Sequence, residues 1–155
     1  MEKELAAGIL IGIGIIAFLS YSFYHKKKID LVNRAYQQFK KNYGSEYYVA
    51  IGVADGNVME KECNILLALD GQGKIVDALL IEGGNAGSGQ GVRTSDEYIG
   101  MDVYQSVAKI EKNSKDPAKQ YQKQWNSATG KERAFYQAAK NAIGQINQKN
   151  LLTRK

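Results

Sequence analysis

Leu5 to Tyr24, LAAGILIGIGIIAFLSYSFY, runs without a charged residue, and His25-Lys26-Lys27-Lys28 follows at once. A helix that crosses a hydrocarbon layer of about 30 Å needs roughly 20 apolar residues at 1.5 Å each, so the run predicts one transmembrane helix. Lysines in the first turns behind a span stay on the cytoplasmic side, and Glu2-Lys3-Glu4 ahead of it offers no competing excess. Lys26, Lys27 and Lys28 are therefore expected to orient a single-pass inner-membrane protein, N-terminus outside and residues 26–155 in the cytoplasm. A cleaved signal peptide would carry its charge before the apolar run and small residues after it, whereas this run exits through Tyr21-Ser22-Phe23-Tyr24. Gly8 and Gly12 have the small-xxx-small spacing that lets two helix backbones approach, which points to a homodimer through that face.

Behind the lysines, Ile29, Val32, Tyr36, Phe39 and Tyr43 recur at spacings of three and four, the period of a helix ending near Gly44. No breaker precedes them, so one helix is expected to continue out of the span, its stripe covering a sheet. From Glu46 to Gly83 the pattern changes to short β-rich runs. Tyr47–Val53, Ile65–Leu69 and Ile75–Ile81 are separated by the turn signals Asp55-Gly56-Asn57 and Asp70-Gly71-Gln72-Gly73. They predict a three-stranded antiparallel meander, with the last two strands forming the clearest hairpin.

Gly83 to Gly91, GGNAGSGQG, follows a strand but fails both phosphate-loop templates. One needs glycine where Val92 stands and the other needs lysine where Gln90 stands, so the stretch reads as a loop. From Ser95 the texture is helical. Ser95 and Asp96 can cap a helix carrying Ile99, Val103, Val107 and Ile110, and Asp116-Pro117 opens a second with Ala118, Tyr121, Trp125 and Ala128. Thr129-Gly130-Lys131-Glu132 fits a capping box ahead of Phe135, Ala139, Ala142 and Ile146. The fold class expected is thus α+β: a single N-terminal transmembrane helix continuing into an amphipathic helix, a small three-stranded antiparallel sheet, and a helical C-terminal region. The expected segments are an anchor at 1–28, a small α+β domain at 29–103 and a basic helical tail at 104–155.

Composition narrows the chemistry. Cys63 is the only cysteine and His25 the only histidine in 155 residues, which argues against a disulfide framework, a thiolate or histidine metal site, and a serine or cysteine triad. No catalytic residue, metal or cofactor is expected. Residues 29–103 carry 6 Lys/Arg against 11 Asp/Glu, while residues 104–155 carry 11 against 3. A basic tail has three classes of partner: anionic lipid headgroups, nucleic acid, or an acidic protein surface. Lys119 and Lys123 beside Tyr121 and Trp125 have the composition of a single-strand binder, although these aromatics lie on the apolar stripe, where burial is the expectation. Asp77 sits inside an apolar strand and must face solvent or find a partner.

The order of one N-terminal span, Asn33-Arg34-Ala35-Tyr36 just behind it, then Ala68-Leu69-Asp70 and Lys74-Ile75-Val76-Asp77-Ala78-Leu79 ahead of Gly83, resembles the GutM family of glucitol operon activators over about residues 5–83. The resemblance implies a membrane-anchored accessory regulator that promotes transcription of a sugar-alcohol phosphotransferase operon through contacts with a transcription regulator or sugar transporter. Asn33, Arg34, Tyr36, Asp77, Lys119 and Lys123 are the candidate partner-binding residues. The glycine-rich loop and the longer helical tail depart from that family's pattern. Two other classes are direct nucleic-acid binding by the basic tail, and a membrane-anchored assembly subunit.

Overall fold

The computed structural model describes residues 2–54, 62–82, 91–112 and 129–152. They form two compact units, Met1–Arg34 and Ala35–Lys155. Helix α1, Glu2–Tyr43, begins in the first and ends in the second. Among the described residues no helix is long and apolar enough to cross a membrane, which corrects the transmembrane expectation and the single-pass, N-outside orientation drawn from Lys26, Lys27 and Lys28. The uncharged run of α1 gives way at its far end to His25 and three lysines. The helix then continues without interruption through Lys26, Lys27, Lys28, Asp30 and Arg34. Lys27 places its ammonium over the Phe23 ring, 4.6 Å from the centroid. Gly44, with φ +59, closes α1 by donating its N–H to the Lys40 carbonyl at 3.0 Å, as expected where the apolar stripe stops.

The second unit holds a sheet of four antiparallel strands in the order β1-β2-β3-β4, where three were expected. The strands are β1 Tyr48–Ala54, β2 Cys63–Leu69, β3 Ile75–Glu82 and β4 Gly91–Thr94. The β2–β3 hairpin forms where the turn signal stood. Asp70 accepts the N–H groups of Gln72 and Lys74 on its Oδ1, both at 2.9 Å, and Gly73 takes φ +87. β4 escaped notice because its four residues are all exposed and carry no inside-outside alternation. What makes it a strand is its ladder to β3, with Ile81 opposite Val92 and Leu79 opposite Thr94.

After β4 the chain makes one 3-10 turn, Asp96–Tyr98, and resumes pairing with the start of β3 through a Lys74–Asp102 bridge. The helix expected from Ser95 therefore begins later, as α2 Val103–Lys112. Ile99 is extended and Gly100 has φ +85, which a continuous helix cannot accommodate. Val103 and Val107 are buried, while Ile99 and Ile110 remain exposed. Helix α3, Gly130–Leu152, starts with the expected capping box: Glu132 Oε2 accepts the Thr129 N–H at 2.7 Å, and Thr129 Oγ1 accepts the Glu132 N–H at 3.3 Å.

The core lies between the sheet and α3. Ala50, Ala54, Ile65, Leu67, Leu69, Ala78 and Leu80 point to the face that α3 covers with Ala134, Phe135, Ala138, Ala139 and Ala142. β2 is buried at every position, as a central strand covered on both faces must be. Each fully buried leucine or isoleucine contributes about 1.5–3 kcal/mol relative to exposure. Gly52 fixes how close α3 comes: a Cβ there would lie 1.9 Å from the Ala134 carbonyl oxygen and 2.4 Å from the Ala138 nitrogen. Glycine in β1 against alanines at every fourth position of α3 lets helix backbone lie directly on strand backbone. α3, rather than α1, is thus the principal cover of this face. From α1, Phe39 is buried and Tyr43 bonds to Asp77 on the sheet's other face.

Candidate functional site

The four-stranded sheet has two edges, and they are treated differently. In an antiparallel strand the N–H and C=O of alternate residues point to the same side, so Val49, Ile51 and Val53 direct theirs away from β2. α3 supplies the missing partners. Asn141 Nδ2 donates to the Ile51 carbonyl at 2.8 Å, Gln145 Nε2 donates to the Val49 carbonyl at 3.2 Å, and Gln137 Oε1 accepts the Val53 N–H at 3.0 Å. Four residues of helix rise about 6.0 Å and two residues of strand about 6.8 Å, so amides spaced i, i+4, i+8 keep step with alternate strand residues. The Gly52–Ala138 seam is what brings them within reach.

At the opposite edge, Ser95 donates its N–H to the Ala78 carbonyl at 2.9 Å, which sets the alternation in β4: Arg93 faces β3, and Val92 and Thr94 turn their backbone groups outward. Among the described residues nothing bonds those groups. Val92 is 44% exposed, and Arg93 pairs across the strand with Glu82 at 3.2 Å.

Two open grooves border these elements. One, of about 370 Å³, runs beside the β1 edge, with Val49, Ile51 and Tyr36 along one side and Asn141, Gln145 and Gln148 along the other. The second, of about 540 Å³, lies between the β2–β3 turn and α2, and includes Lys74, Ser106 and Lys109. Asp102 in this groove is spent on α2, accepting the Gln105 N–H on Oδ1 at 3.0 Å. Among the described residues no group of three His, Cys, Asp or Glu side chains is arranged to hold a metal. Burial pushes the Cys63 thiol up to about 11, which suppresses its nucleophilic form.

The basic charge of α3 is partly committed within the unit. Lys131 donates to Glu97 and lies 5.6 Å over the Tyr98 ring, which is stacked on Phe135 at 4.4 Å. Lys140 donates to Glu111 Oε1 at 2.9 Å, and Tyr136 Oη donates to the same oxygen at 2.8 Å, tying α2 to α3. Hydrogen bonding from Lys131 holds the Glu97 carboxyl below its ordinary range, and that from Lys140 does the same for Glu111.

The residues singled out by sequence do not gather into one site. Asn33 and Arg34 are exposed on α1 in the first unit. In the second unit Tyr36 is half-buried at the groove beside β1, while Asp77, on β3, accepts the Tyr43 hydroxyl. Asp77 thus answers the question its strand position raised, by finding a partner on the α1 stripe. Burial and then that bond raise the Tyr43 phenol to about 12. Tyr43 also packs on Phe39 at 4.9 Å and on Tyr47 at 5.6 Å. Lys119 and Lys123, with Tyr121, Trp125 and the helix from Pro117, lie outside the described residues, as do the loop at 83–90 and the turn at Asp55-Gly56-Asn57. The side-chain environment of His25 and the surroundings of Gly8 and Gly12 lie outside them as well. Gln137, Asn141, Gln145, Val92 and Thr94 were not anticipated. The regular spacing of the three amides, and the isolated glycine in β1, were the available signals. Comparison with family models, curated proteins and solved structures finds no match for the chain.

Proposed function

We propose that this chain is a regulatory interaction module, acting by contact with a protein partner. The observation that supports this best is on α1, where Ile13, Ile15, Ile16, Phe18, Leu19, Tyr21 and Phe23 are each more than half exposed. At 100° per residue these positions go all the way round the helix. A helix apolar on every side is enclosed by other apolar surface rather than left in water. The finer reading, an accessory activator of a sugar-alcohol phosphotransferase operon whose partner is a transcription regulator or a sugar transporter, rests on the resemblance of residues 5–83 to glucitol operon activators.

Purification of the tagged full chain from its own cells under gentle conditions, with identification of what accompanies it, tests both levels. Repeated recovery with one regulator or sugar transporter is the expected result. Repeated recovery of the chain alone contradicts the interaction reading. A partner unrelated to sugar-alcohol uptake contradicts only the finer one.

A further inference from the structure

The geometry points to the outer edge of β4 as a docking site for a short extended segment of a partner protein, which adds to the sheet as a fifth strand. This rests on the reading of the chain as an interaction module and names its surface and the chemistry of its occupant.

The contrast between the edges carries the inference. An unpaired strand edge is a template for any extended chain, and proteins blunt edges that are not meant to pair. Here β1 is closed along its length by three side-chain amides from α3, two on carbonyls and one on an N–H. Among the described residues β4 has no such cover: all four of its residues are exposed, and Val92 and Thr94 aim two N–H and two C=O groups outward. Two N–H and two C=O groups in strand alternation match an extended backbone, the strand-addition mode of peptide recognition.

Side chains define the occupant further. Residues directly opposite in an antiparallel pair share a face, and the pairs without mutual backbone bonds bring side chains closest. An antiparallel fifth strand bonded through Val92 and Thr94 sets one residue opposite Arg93 in such a close pair. The Arg93 side chain is 60% exposed and its guanidinium has donors beyond the one it gives Glu82, so an acidic residue is favoured there. The two flanking residues lie opposite Val92 and Thr94 on the other face, where the exposed Val92 favours β-branched apolar side chains. The preferred segment reads apolar–acidic–apolar.

A second copy of the chain is the poorer occupant. Two β4 strands paired about a two-fold axis, in the register that uses both Val92 and Thr94, set Arg93 against Arg93. Like charges directly opposite are destabilising. A four-residue edge also buries far less than the roughly 1,200 Å² of a stable dimer.

The test uses the purified full chain with a blocked pentapeptide, Thr-Val-Glu-Val-Thr, and its charge-reversed form, Thr-Val-Lys-Val-Thr, followed by backbone amide NMR. The expected result is that the Val92 and Thr94 amides shift, and that the glutamate peptide binds several-fold more tightly than the lysine peptide. Arg93→Glu should reverse that order, and Val92→Pro, which removes an outward N–H without touching the ladder to β3, should abolish binding. Val92 and Thr94 amides that stay put at millimolar peptide, or a peptide order indifferent to Arg93→Glu, overturn the inference. Copurification separates it from the function proposed above. A natural partner retained by Val92→Pro sinks the docking edge and leaves the interaction reading standing. No partner for the unaltered chain, with the peptides behaving as expected, does the reverse.

Discussion

The two edges of the sheet pose the same physical problem and receive opposite treatments. At β1 the backbone groups of Val49, Ile51 and Val53 are met by Gln145, Asn141 and Gln137, because an alanine seam on α3 lies directly against Gly52. At β4 the groups of Val92 and Thr94 meet nothing among the described residues, and the strand is held from one side only. The lesson is that side-chain amides on a helix can stand in for a neighbouring strand when small residues allow the helix close enough. An edge left without them marks where pairing remains available.

The strongest way to break the contrast is Gly52→Ala. Its Cβ would sit 1.9 Å from the Ala134 carbonyl oxygen, inside rigid backbone, so α3 must move away. We expect a loss of about 3 kcal/mol or more, a fall of roughly 10 °C in Tm, and a β1 edge as bare as β4. Thermal unfolding monitored by circular dichroism checks it. Removing the amides while leaving the seam, with Gln137, Asn141 and Gln145 all changed to alanine, should cost about 2 kcal/mol in denaturant melts at roughly 0.5–1 kcal/mol per bond. The same variant should self-associate with rising concentration in sedimentation experiments, since its β1 edge is longer than β4 and carries no arginine.

Tyr43→Phe supplies a contrast distant from both edges. Loss of the bond to Asp77 should cost about 1 kcal/mol and create no new self-association. It also has a pH signature. The folded-state phenol lies near 12, above the ordinary value of 10, so its stabilisation is complete below pH 10 and is lost as pH rises through 12. The alkaline fall in stability should therefore be shallower in Tyr43→Phe than in the unaltered chain; an identical alkaline profile would contradict the clasp. It will not vanish, because burial also raises the Tyr98 phenol.

The smallest effect concerns how α3 is seated. Glu97 and Glu111, paired with Lys131 and Lys140, have folded-state pKa values below the usual 4.5. Their stabilisation is present above that value and is lost as pH falls through the depressed one. Both carboxylates are exposed, so the change is slight. Glu111→Gln should slightly lower the plateau near neutrality and flatten the acid limb of the stability curve, as read in denaturant melts from pH 7 to pH 3.

Much of the second unit was legible in sequence wherever the determining interaction is local. Asp70 to Gly73 fold into the turn their chemistry requires, Thr129 and Glu132 form their capping box, and Phe135, Ala139, Ala142 and Ile146 are buried as their period implies. What was not legible depends on placement in space. Gly91–Thr94 becomes a strand only because β3 is beside it, and a four-residue exposed run has no period to read. Gln137, Asn141 and Gln145 share a helix face with no chemical mark of a partner, and only the closeness of α3 to Gly52 turns them into an edge cover. The stretch from Leu5 to Tyr24 misled for another reason: absence of charge was read as a crossing, whereas among the described residues no helix is long and apolar enough for one.

Residue-resolved amide hydrogen exchange under native conditions tests the difference between the edges most directly. The Val53 N–H, held by Gln137 Oε1, should exchange much more slowly than the outward N–H groups of Val92 and Thr94, and should lose that protection in Gln137→Ala. Equal exchange at Val53, Val92 and Thr94, or protection at Val53 that survives Gln137→Ala, would contradict the account.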